Sequence, residues 1–155
     1  MYNSCQKAQQ AADKALYFTL NEKVGNFFYD KGDFALALRI HNQSASDYLP
    51  DSFPAEHLHS LVQTILCHIA AESYEQAAEV ADRASRLGLA RVSPHHANVI
   101  HAALGIYHMR TRRFCAAADW FLKISSHEDD SIREILLDHV CSSFNFFFPS
   151  NLFID

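Results

Sequence analysis

The sequence predicts an all-α protein: a right-handed α-solenoid of three helical hairpins with a period of 40, followed by a C-terminal helix. One observation is a recurring aromatic-x-x-Ala. Phe34 and Ala37, Tyr74 and Ala77, and Phe114 and Ala117 stand forty residues apart each time. A second is that other positions keep the same phase: Gly25, Ile65 and Gly105 form one set, and His41, Ala81 and Phe121 another. A third is composition. Only four glycines and four prolines in 155 residues leave room for long uninterrupted helices and too few turn residues for an all-β fold. A fixed period of this length marks hairpins that stack because none can bury its apolar face alone.

Residues 6–31 read as one long helix or two abutting ones. Ala8, Ala11, Ala12, Ala15 and Leu16 form an apolar stripe that continues through Leu20, Val24, Phe27 and Phe28. Lys31-Gly32 supplies a cationic last turn and a left-handed capping residue. Asp33 can cap a second helix running to about Tyr48. Leu49 to Pro54 is a break, because two prolines flank a turn-forming pair. Helices near 55–71 and 74–87 follow, with Gly88 as C-cap. Ala77, Ala78, Ala81 and Ala84 would allow close approach within that pair. Ser93-Pro94 is a strong helix start, Ser at N-cap and Pro at N1. That helix runs to about Arg110, and its partner covers roughly 114–125. A seventh helix is expected over 132–140. The resulting division is an N-terminal helical extension at 1–15, a TPR-like helical repeat domain at 16–140, and an atypical aromatic tail at 141–155, which fits neither a helical nor an alternating pattern.

The repeat-packing set is Gly25, Phe34, Ala37, Tyr74, Ala77, Gly105, Phe114, Ala117 and Phe121, with the aromatics expected to be buried between helices. These residues define the fold and carry no chemistry. The cluster Arg110, Arg112 and Arg113 is the one concentrated positive charge. It has two readings: satisfaction of a helix C-terminus, or contact with an acidic partner surface.

A formal net charge of −5 argues against a nucleic-acid module, which usually carries a basic stripe. No secretory signal and no run of eighteen apolar residues is visible, so no membrane span is expected. Four scattered cysteines without a C-x-x-C suit reduced thiols, and a cytoplasmic and nuclear location is expected. No small-molecule substrate or cofactor is implied.

Ten histidines raise the question of metal chemistry. His57-Leu58-His59 offers an H-x-H, but the aspartate that metalloprotease-type isopeptidases need is replaced by Ala70. Residues two apart on a helix also face different ways. His95-His96 are adjacent, and His101 and His108, although able to share a face, have no carboxylate or cysteine at matching spacing. Cys67 and Cys115 lie within the repeats without a positioned base. No metal site and no enzyme is expected. A metal-dependent hydrolase using the histidines is the least favoured reading.

The stretch from Gly25 to Tyr48, with its Gly32-Asp33 turn, alanine-leucine helix and Ala45-x-Asp47-Tyr48 ending, resembles the first repeat of the COP9 signalosome's first-subunit family. His57 to Leu66 is similar to the helix that follows there. Arg113 to Leu122 is similar to the family's Ala-Ala-x-x-Phe-Leu helix, and 131–137 to the next segment. The related proteasome-lid subunit shares the repeat plan and is the near alternative; a free-standing TPR-like adaptor is another. The resemblance implies a non-catalytic scaffold whose partners are other signalosome subunits and components of cullin-RING ligases. The implied role is support of cullin deneddylation through protein–protein contacts. It also implies a PCI domain after the repeats. Residues 141–155 do not resemble its beginning, so the sequence reads as a fragment, a truncated isoform or a gene model with a spurious end.

Overall fold

The computed structural model describes residues 2–88 and 93–124, with side chains from residue 12 onward. Within them lie six helices: α1 (Tyr2–Asp30), α2 (Phe34–Asp47), α3 (Pro54–Ala70), α4 (Tyr74–Arg86), α5 (Pro94–Arg110) and α6 (Phe114–Phe121). The expected helix at 132–140 and the tail at 141–155 fall outside the described residues.

The helix ends follow local chemistry. Asp33 Oδ1 accepts from the Leu36 N–H at 3.1 Å, which satisfies one of the bare donors at the start of α2. Pro54 and Pro94 occupy first-turn positions where no N–H is needed. Ser93 accepts from the His96 N–H at 3.4 Å. α1 is continuous through residues 15 and 16. α6 is shorter than expected, ending at Phe121.

All three hairpin turns are built alike. Asp33 N–H donates to Phe28 O at 2.9 Å, Ser73 to His68 O at 2.8 Å, and Arg113 to His108 O at 2.8 Å. Each closes a Schellman turn around one left-handed residue. These residues are Gly32 (φ 77°), Glu72 (φ 56°) and Arg112 (φ 60°), again forty apart. Only the first is glycine, so the other two carry a side chain in a region that costs an L-residue about 1–2 kcal/mol.

Each helix packs on its sequence neighbour, and α3 also packs on α5 and touches α1. The odd-numbered helices therefore form one layer and the even-numbered helices a second. This is an all-α solenoid. Its core sits between α3, α4 and α5, where Leu61, Val62, Ile65, Ile100 and Ile106 have no exposed surface. Each large aliphatic side chain buried this way contributes about 1.5–3 kcal/mol. α4 meets them with alanines: Ala77, Ala78, Ala81 and Ala84 are all buried. α5 is enclosed most completely, with every residue from Asn98 to Ile106 buried, because α3, α4 and α6 all lie against it.

Two expectations of burial are corrected. Phe114 is 54% exposed, not a side chain buried between helices. It opens α6, and no further described repeat follows to cover it. The apolar stripe of α1 also faces outward. Leu16 is 61%, Leu20 52%, Val24 45% and Phe27 55% exposed. The opposite side of the same helix, with Phe18, Glu22, Gly25 and Tyr29 at helical spacing, is the one turned toward α2 and α3.

Candidate interaction surface

Two sequence phases meet inside the hairpins. A Cβ added to Gly25 would overlap the imidazole of His41, and one added to Gly105 would overlap the ring of Phe121. The middle hairpin carries Ile65 and Ala81 at the equivalent positions, both with no exposed surface. Bulk therefore sits on the second helix in the outer hairpins and on the first helix in the middle one. Ala37, Ala77 and Ala117 are buried at 0, 1 and 3% exposure. Phe34 and Tyr74 are half-buried, Phe34 against Tyr29 with ring centroids 5.5 Å apart.

The arginine cluster divides. Arg110 is half-buried: its Nη2 donates to the Tyr74 hydroxyl at 3.0 Å and its guanidinium lies 4.6 Å from the centre of that ring. Burial raises the Tyr74 hydroxyl's pKa, with Arg110 opposing the shift. Arg110 thus ties the third hairpin to the second. Arg112 and Arg113 are exposed, on the turn and at the N-cap position of α6. Of the three arginines, Arg110 is spent within the fold, while Arg112 and Arg113 keep exposed side chains.

The histidines form structural links. His57 Nδ1 lies 2.8 Å from both the Ala45 and Tyr48 carbonyls, where a ring N–H serves acceptors that the end of α2 leaves without a helical partner. His59 points elsewhere. Its Nε2 is 3.0 Å from Glu22 Oε1 and its Nδ1 is 3.2 Å from His96 Nε2, joining α1, α3 and α5. Glu22, His59 and His96 are spaced by 37 residues, about one helical turn short of the 40-residue period. That offset is the signal a sequence reading tuned to forty passes over. Burial, with His59 and His95 nearby, lowers the His96 pKa to about 4, so its ring is neutral near pH 7.

No group of three or more His, Cys, Asp or Glu arranged for a metal exists among the described residues. Burial pushes the Cys67 thiol up to about 12, which removes it as a nucleophile at neutral pH. No described helix is long and apolar enough to cross a membrane.

These features define a class: a helical-repeat protein whose described polar clusters fasten one hairpin to the next. The match to known families agrees. Residues 3–148 match the family described as 26S proteasome subunit RPN7, a PCI-type family, and the chain belongs to it. Such membership implies a place in a multi-subunit, lid-like complex. No curated protein and no solved structure matches the chain.

Proposed function

We propose that this chain is the helical-repeat arm of a non-catalytic scaffold subunit in a complex of the signalosome or proteasome-lid type, and that the complex is the COP9 signalosome. The family match over residues 3–148 carries the scaffold reading. The signalosome choice rests on the Ala45-x-Asp47-Tyr48 ending. In this fold Tyr48 is 3% exposed, donates to the Lys14 carbonyl at 2.6 Å and packs edge-on against Phe18 and Phe53. The arm would support cullin deneddylation through contacts with neighbouring subunits and with cullin-RING ligase components, in cytoplasm and nucleus. The second reading is the lid subunit itself, favoured by the description of the matching family.

Affinity capture of the tagged chain from a cell lysate, followed by mass spectrometry, separates the two. Signalosome subunits support the first reading and lid subunits the second. Recovery of neither set favours a free-standing adaptor. Imaging of the tagged chain tests the cytoplasmic and nuclear location.

A further inference from the structure

α1 is apolar on two opposite sides, and only one of them is covered by the described residues. The inner side carries Phe18 and Gly25 against the rest of the solenoid. The outer side carries Leu16, Tyr17, Leu20, Val24 and Phe27, each 45–61% exposed. A helix apolar on both sides is usually buried on both.

The ends of the stripe indicate what covers it. At helical spacing the line runs Asp13, Leu16, Leu20, Val24, Phe27, Lys31, with an acid at one end and a base at the other, both exposed. The midpoint between Asp13 and Lys31 is residue 22. An antiparallel copy placed about that midpoint sets Leu20 against Val24, Tyr17 against Phe27, and Asp13 against Lys31, each twice. A parallel copy would set Asp13 against Asp13 and Lys31 against Lys31. The stripe is therefore self-complementary under a two-fold axis, the condition for an isologous interface.

We infer that the outer face of α1 is a homodimer interface, and that a second copy of this chain packs on it antiparallel, in register about residue 22. The interface is a single helix face, so the dimer is expected to exchange with monomer.

Sedimentation velocity of the full chain over a concentration series tests this. A monomer–dimer equilibrium is expected, and Leu20→Glu should leave a monomer whose helical circular dichroism is unchanged. Asp13→Lys and Lys31→Asp should each weaken the dimer about tenfold, because the two-fold axis makes each change count twice. An equimolar mixture of these two variants should recover wild-type affinity, since each then meets its opposite charge at both ends. A chain that stays monomeric throughout overturns the inference. So does a dimer indifferent to Leu20→Glu, or a mixture that does not recover. If the monomer binds a different polypeptide and Leu20→Glu abolishes that binding, the stripe belongs to that polypeptide and the inference fails.

Discussion

The guanidinium of Arg110, in the third hairpin, closes over the ring of Tyr74, the aromatic that opens the second helix of the preceding one, and donates to its hydroxyl at 3.0 Å. Two weak contacts, a cation–π stack and a charge-assisted hydrogen bond, act on the same pair of side chains. Arg110→Ala should therefore destabilise the fold by about 1–2 kcal/mol. Arg110→Lys should recover only part of that, because an ammonium cannot stack as a flat guanidinium does. A double-mutant cycle with Tyr74→Phe by urea denaturation isolates the hydrogen-bond share. Strict additivity would contradict the hydrogen bond, since phenylalanine keeps the ring on which Arg110 stacks.

The glycine contacts predict unequal costs. His41 is 1% exposed and has nowhere to swing, so Gly25→Ala forces the overlap and should cost about 1–3 kcal/mol. Phe121 is only half-buried, at the last turn of α6, and can move outward. Both glycines lie inside helices, so alanine gains about 1 kcal/mol of helix propensity at each, and the freer ring opposite Gly105 is what should make its net cost the smaller one. Thermal unfolding of the two variants side by side measures the difference. A larger loss for Gly105→Ala would contradict this account.

Acid should weaken the fold through His41. Burial, and then His59, lower its pKa to about 4, against an ordinary value of 6.5. Its Nε2 has no hydrogen-bond partner among the described residues. The unfolded chain therefore binds this proton first as pH falls. The contribution of His41 is fully present above pH 6.5 and is lost between 6.5 and about 4, on the order of 3 kcal/mol in full. The half-buried His96 adds a smaller loss in the same direction. His41→Phe, which puts at this position the side chain that faces Gly105 in the third hairpin, should flatten the decline. Urea midpoints at pH 7 and pH 4.5 for both proteins provide the check.

The left-handed turn residues give a stabilising prediction. Glu72→Gly and Arg112→Gly place at those positions the residue that Gly32 already provides, and each should add about 1 kcal/mol. The turns are separate, so the double variant should be close to additive in melting temperature. A loss at Arg112 would mean that its side chain contributes more than its backbone costs.

Much of the fold was legible because its signals are local. Asp33, Ser93-Pro94 and the break at Leu49–Pro54 fix helix ends through groups a few residues away, and the forty-residue period fixes the hairpin count. What escaped depends on how repeats meet in space. Nothing near Arg110 in sequence marks it as Tyr74's partner, thirty-six residues away. The chain from Glu22 through His59 to His96 follows the offset between successive odd helices, which the period itself conceals. The burial of Phe114 was inferred from its register, yet register fixes a position in the repeat and not whether another repeat covers it.

The alternation of bulk between the two helices of a hairpin has a consequence for assembly. Suppose a helix paired one hairpin out of step. α1 against α4 would set Gly25 opposite Ala81 and leave a void, while α3 against α6 would drive Ile65 into Phe121. The same slip is thus penalised once by a cavity and once by a collision, in different parts of the molecule. Exchange of the two outer hairpins carries no such penalty, since a glycine would still meet a large ring. The middle hairpin is therefore the one that enforces the order of the stack.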